Sequence, residues 1–166
     1  MPDPDSLGWR PDAPATDFLL GRGQVERVEP SVHHARTILA DAHRHLASAH
    51  LLASTDDVAA TFVTAYDAAR KALSAMLAVQ GLRTRGGDGG HRVLGELMQA
   101  QLPAHRKTLR EFDWMRLKRN DTEYHDPDRP TATRDDVDAG IPAAQQIVDL
   151  AEAFVTFVHR GEPPTD

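Results

Sequence analysis

The sequence predicts an all-α fold, an up-and-down bundle of four to five helices. Three observations predict it. Apolar residues recur at spacings of three and four in each long segment beyond about residue 30. No segment shows the apolar–polar alternation of a strand. The connections between the helical segments are short, which makes successive helices antiparallel neighbours. At 166 residues the chain is long enough to bury a core without metals or disulfides. The expected organisation is a largely irregular N-terminal tail (1–30), one helical bundle (31–160) and a short C-terminal tail (161–166).

Each element follows from its residues. Pro2, Pro4, Pro11, Pro14 and Pro30 break regular structure in the tail, and acidic residues are frequent there. Its apolar patch, Phe18-Leu19-Leu20, reads as a loosely held anchor, so the tail is expected to be dispensable for folding. The first helix is expected from about Ser31, a good N-cap, to Ala53, with Ile38, Ala42, Leu46 and Ala49 on one face. The second runs from about Thr55 to Gln80, with Val58, Phe62, Tyr66, Ala69, Leu73 and Met76 as its stripe. Ala65, Ala68, Ala72 and Ala75 permit close approach on another side, and Gly81 is a stop signal. The glycine-rich stretch Thr84–Gly90 reads as a flexible connection. A shorter helix follows from about His91 to Leu102. After Pro103 another runs from about Ala104 to Lys118, carrying Leu109, Phe112 and Met115, and a polar loop with Pro127 and Pro130 follows it. The last helix starts near Thr133, with Asp135 and Asp136 suited to its positive end. Gly140 and Pro142 are expected to kink or restart it. Val137, Ile141, Ala144, Val148, Ala151, Val155 and Val158 form one stripe, and Ile147, Leu150, Phe154 and Phe157 a second. One neighbouring helix needs only one stripe, so the excess is expected to be buried against a second copy in a homodimer.

Composition narrows the chemistry. The chain has no cysteine, which removes disulfides, zinc knuckles, Fe–S clusters and cysteine nucleophiles together. It also fits a reducing compartment, and the expected location is the cytoplasm. No uninterrupted apolar stretch approaches the roughly 20 residues that span a bilayer, so no membrane is expected. The start, Met1-Pro2-Asp3-Pro4-Asp5, is acidic and does not read as a signal peptide. A net charge of -6 means that nucleic-acid binding needs a local basic patch.

Four motifs bear on chemistry. The glycine-rich stretch lacks the Gly-Lys-Ser/Thr ending of a P-loop and follows no strand, so a hinge is a better reading than a phosphate cradle. His33, His34, His43, His45 and His50 crowd one helix, yet none is four residues from another; they read as solvated or interfacial rather than as metal ligands. No Gly-x-Ser-x-Gly elbow or Ser-x-x-Lys motif is present. No metal and no cofactor is expected. The fourth is Arg116-Leu117-Lys118-Arg119-Asn120-Asp121-Thr122-Glu123-Tyr124-His125. Arg119 lies on the face of Phe112 and Met115, and His125 follows after five residues. Upstream, His105, Arg106, Lys107, Arg110 and Arg116 outnumber Glu111 and Asp113, giving with Lys118 a basic stripe that leads into the Arg–His pair. The plain alternative is a cation-rich C-terminal turn, which the helix dipole favours.

Several of these features together resemble the HEPN superfamily over roughly residues 31–159. They are Ala65-Tyr66-Asp67-Ala68-Ala69-Arg70-Lys71-Ala72-Leu73, Gly81 closing that helix, His91 before Leu94 and Leu97, and Arg119-Asn120 to His125, which fits the family's Arg-x4-6-His pattern. The resemblance implies a helical bundle that commonly dimerises, with two Arg–His motifs meeting near the dimer axis to cleave RNA without metal. By analogy Arg119 would stabilise phosphorane charge, His125 would act as general acid or base, and Asn120 would orient the arginine or the phosphate. Arg106, Lys107, Arg110, Arg116 and Lys118 would hold the RNA backbone. An antitoxin or another protein partner fits a stress, defence or toxin–antitoxin setting. Toxin-type members often carry a tyrosine two residues after the histidine; here Pro127 stands there. The Arg-Asn-x-x-Glu-Tyr form is similar to a subgroup in which Glu123 and Tyr124 have a structural or modulating part. The implied alternatives are a catalytically silent module that binds RNA, nucleotide or protein, and a structural dimerisation domain.

Overall fold

A computed structural model describes residues 7–86 and 88–161. Residues 1–6 of the expected N-terminal tail, Gly87 of the glycine-rich stretch and all but Gly161 of the expected C-terminal tail lie outside the described residues. In chain order the elements are α1 (Pro14–Gly21), β1 (Val25–Arg27), α2 (Val32–Leu52), α3 (Val58–Val79), β2 (Leu82–Thr84), α4 (Asp88–Gln101), a 3-10 turn (Pro103–His105), α5 (Arg106–Tyr124) and α6 (Arg134–Gly161). The all-α bundle is borne out, with more helices than expected among the described residues and one small ribbon beside them.

α3 is the central element and lies against α2, α4, α5 and α6. Phe62, Tyr66, Leu73 and Met76 are fully buried on it, as are Ala68, Ala69, Ala72 and Ala75. Alanine has no side chain beyond Cβ, so neighbouring backbones can approach from several sides. Ser31 caps α2 by accepting a hydrogen bond from the His34 N–H at 3.1 Å. Asp57 does the same for α3, accepting from the Ala60 N–H at 2.9 Å.

The strand pair escaped the periodicity argument because each strand has three residues. β1 and β2 run antiparallel, with Val25 opposite Thr84 and Arg27 opposite Leu82. Gly81 makes the turn into β2. Its φ is +71°, and a Cβ there would lie 2.7 Å from both the Val28 carbonyl oxygen and Pro30 Cγ. Only glycine fits both the conformation and the space.

The N-terminal segment corrects the expectation of an irregular tail for residues 7–30. Pro14 opens α1, where its missing N–H costs nothing. Leu7 and Leu19 are buried in the core, while the neighbouring Phe18 is 62% exposed. Trp9 stands edge-on to Phe154 at 5.3 Å and to Phe157 at 6.3 Å. The buried Gln101 ties the segment down. Its carbonyl oxygen accepts from the Arg10 N–H at 2.8 Å, its side-chain amide donates to Thr16 Oγ1 at 3.3 Å, and its side-chain oxygen accepts from Gln80 at 2.9 Å.

α6 runs unbroken through Pro142, so the expected restart is not found. Thr133 and Asp136 form a reciprocal cap at its start, and Arg134 donates to the carbonyls of Ala53 (2.8 Å) and Thr55 (2.9 Å), closing the α2–α3 turn onto α6. Both apolar stripes of α6 are largely buried within the chain, by α2, α3, α5 and Trp9, so the surplus expected to seat a second copy is already covered. α6 has the length and composition of a membrane-spanning helix, but 56% of its most apolar window is buried inside the bundle.

α5 extends two turns beyond the expected end at Lys118. Two interactions carry it onward. Thr122 is buried, donates from Oγ1 to the Lys118 carbonyl at 2.8 Å and accepts from the Ala132 N–H at 2.8 Å. Arg119 and Glu123 pair at i, i+4. His125, at φ +47°, ends the helix in the left-handed region.

Candidate functional site

Because α5 continues to Tyr124, Arg119 sits within the helix on its inward face, in line with Phe112 and Met115. Its side chain is 19% exposed. The guanidinium carbon lies 6.0 Å from the centre of the Tyr66 ring, at the outer reach of a cation–π contact. One terminal nitrogen pairs with Glu123 Oε2 at 2.8 Å, and the other donates to Asn120 Oδ1 at 3.4 Å. The Nε atoms of Arg119 and of the half-buried Arg116 are both buried, and neither has a hydrogen-bond partner among the described residues.

Tyr66 is the floor of this site. It is fully buried on α3 and stacks on Phe112 with ring centres 5.3 Å apart and planes at 17°. Its hydroxyl lies 3.0 Å from Nδ1 of His91, on α4. Burial raises the pKa of the phenol well above its ordinary range, against the opposing pull of Arg70, Arg119 and Arg116, so the hydroxyl stays protonated. Asp67 and Arg70 pair beside it at 3.3 Å. Elements α3, α4 and α5 thus bring a phenol, an imidazole and cationic side chains to one place.

The other expected site residues fall elsewhere. His125 is exposed, with Nδ1 3.2 Å from the Glu123 carbonyl oxygen; no hydrogen bond joins it to Arg119. Tyr124 is 65% exposed. The basic residues of α5 do not form one stripe. Arg106, Lys107 and Arg110 are exposed on its first turns, Arg116 is half-buried, and Lys118 turns toward α6, where its Nζ lies 3.7 Å from Asp136. The sequence alone offers Tyr66 only as a core position and His91 only as part of the family likeness. The available signal was Tyr66 itself, since a tyrosine on a buried stripe needs a partner for its hydroxyl.

Other features carry less chemistry. His43 meets Glu152 at 3.1 Å, and among the described residues no three His, Asp or Glu side chains gather as metal ligands would. Beside the glycine-rich stretch, Gly23, Arg85, Gly86, Gly89 and Gly90 line a hollow of about 180 Å³. A groove of about 470 Å³, floored by Ile38, Leu77 and Leu82, lies between the ribbon, α2 and α3, away from Arg119.

Among known proteins, the family described as HEPN domain matches residues 35–154, which is most of the chain and takes in α3, α4, α5 and nearly all of α2. No curated protein and no solved structure matches it. With that match covering the bundle and the site at its centre, the chain belongs to the HEPN domain family.

Proposed function

We propose that this protein is a metal-independent endoribonuclease of the cytoplasm, acting through Arg119, Asn120 and His125 in a stress, defence or toxin–antitoxin setting. The observation that supports this most is the seat of Arg119. A permanently charged side chain is retained on the inward face of α5, with a buried Nε unpartnered and its outer nitrogen on an exposed glutamate. Such a group costs folding free energy unless an anion completes it. Glu123 is the exposed partner of that pair, so a phosphodiester, another anion that accepts from guanidinium, can take its place.

The chemistry needs little else. A base removes the proton of the RNA 2′-hydroxyl, the O2′–P bond forms and the P–O5′ bond breaks. An acid protonates the departing O5′, leaving a 2′,3′-cyclic phosphate and a 5′-hydroxyl. Histidine titrates near neutrality and suits proton transfer; arginine suits the charge on the phosphorane oxygens. Asn120 holds the guanidinium, and Arg106, Lys107 and Arg110 attract the backbone. Within one chain His125 does not reach Arg119, so this reading includes a second copy that brings one motif to the other. The exposed Leu117 and Tyr124 at that end of α5 supply apolar contact.

The test is purified protein on structured and unstructured RNA, with and without EDTA. Cleavage should survive EDTA, leave cyclic phosphate ends and spare DNA. Arg119→Ala and His125→Ala should each slow it about 10²-fold or more. Loss of activity in EDTA, or an unchanged rate in His125→Ala, overturns the mechanism. A second reading, a catalytically silent module binding RNA or a protein partner, is favoured by the exposed His125 ring lying on its own Glu123 carbonyl. It predicts RNA binding without cleavage, lost in Arg119→Ala and kept in His125→Ala.

A further inference from the structure

The geometry points to Tyr66 and His91 as the pair that positions Arg119, an inference that rests on Arg119 being the cation that meets RNA phosphate. Arg119 has few other anchors. Its contacts with Asn120 and Glu123 are to its own helix, and Glu123 has to let go when an anion arrives. Among the described residues, the Tyr66 ring is a part of its seat that another element brings.

What fixes that ring is therefore what fixes the cation. Stacking on Phe112 sets its plane, and the hydrogen bond with His91 sets where the hydroxyl points. A fully buried phenol that stays protonated must give its proton to something, and His91 Nδ1 is in place to accept it at 3.0 Å. With the phenol as donor, Nδ1 carries no proton and the ring proton lies on Nε2.

The fold delivers His91 to this spot by bringing α4 tightly onto α5. At Gly95, one turn after His91, a Cβ would lie 3.0 Å from both Phe112 Cδ1 and Asp113 Oδ1. Gln99, a turn further, donates to Asp113 at 2.8 Å. The histidine is thus carried on a helix locked to the same α5 that bears Arg119, with Tyr66 bridging the two from α3. Removing the imidazole leaves the phenol proton without its acceptor and opens space at the hydroxyl end of the ring, so the ring tilts and the guanidinium on it moves from the phosphate.

The experiment uses the full chain, labelled with ¹⁵N. The Arg119 Nε–H resonance, assigned by its disappearance in Arg119→Lys, should carry an upfield ring-current shift from Tyr66. That shift should collapse in His91→Ala and return in His91→Gln, whose amide oxygen can accept from the phenol. Tyr66→Phe, which keeps the ring and removes the hydroxyl, should reduce the shift and serves if His91→Ala fails to fold. On a single-stranded RNA substrate, kcat should fall about 10- to 100-fold in His91→Ala and Tyr66→Phe with KM within about twofold, the signature of a misplaced charge rather than a lost binding contact. An unchanged Arg119 resonance in the folded variants, or an unchanged kcat in a protein that does cleave RNA, overturns the positioning role. If the wild-type protein leaves RNA intact but the resonance follows the pattern above, the positioning pair stands and the nuclease reading falls.

Discussion

Replacing Leu19 by alanine tests whether the N-terminal segment is part of the folded body. Leu19 is 4% exposed and lies in the same cluster as the α3 and α4 core, whereas Phe18, the residue before it, is 62% exposed. Truncating a buried leucine costs about 2–5 kcal/mol, from lost transfer free energy and the cavity left behind. α1 sits at the edge of the bundle and can partly collapse into the space, so the lower half of that range applies, about 2–3 kcal/mol. For a chain of this size each kcal/mol moves the melting midpoint by about 2–4 °C, which gives a loss of about 4–12 °C. Phe18→Ala removes a larger side chain yet should cost less than about 1 kcal/mol, since its chief contact is the exposed Arg22 guanidinium at 5.6 Å. Thermal melts followed by circular dichroism at 222 nm compare the two. A Leu19→Ala midpoint within 1 °C of wild type, or a Phe18→Ala loss exceeding that of Leu19→Ala, would refute the packing described here.

Gly81→Ala should cost about 3 kcal/mol or more in urea denaturation, combining the left-handed backbone penalty with a Cβ 2.7 Å from the Val28 carbonyl oxygen. Gly21→Ala, where nothing lies within 4 Å of the added carbon, is the control and should be close to neutral. His45 predicts an acid-side loss of stability. Its folded pKa lies below the ordinary value of 6.5, first because of burial and then because of Lys71, so the unfolded chain binds the proton more readily. The contribution of neutral His45 is complete above pH 6.5 and falls away as pH drops below it. His45→Gln should therefore show a shallower decline in melting midpoint between pH 6.5 and 5 than wild type; equal slopes would count against the assignment.

The parts of the fold legible in the sequence are those whose burial repeats locally. The α3 stripe from Phe62 to Met76 and the α6 stripe from Val137 to Val155 announce themselves because one face meets a continuous core. The N-terminal segment does not repeat. α1, with the buried Leu19, lies against α4, and the partly buried Trp9 meets Phe154 and Phe157 of α6, all far along the chain; Pro14 reads as a breaker until its place at the start of α1 is known. The end of α5 misled for a different reason. Arg119–Tyr124 is polar and looks like loop, but Thr122 and the Arg119–Glu123 pair hold it helical. Arg119 was legible through its place on the Phe112 face. Its companions were not, since Tyr66 and His91 are 25 residues apart on different helices and only the bundle makes them neighbours.

The bond from the Ala132 N–H to Thr122 Oγ1 joins two positions ten residues apart at the mouth of the α5–α6 connection. It divides labour between scaffold and appendage. Arg119 belongs to the scaffold, beside the Tyr66 ring, whereas His125 hangs on the appendage, beyond the neck that this bond closes. Insertions, deletions or substitutions between them alter the exposed arc and leave the bundle as it is. The imidazole is therefore carried on replaceable chain: point changes in this surface loop can remove it or shift its spacing while the Arg119 seat stays as it is.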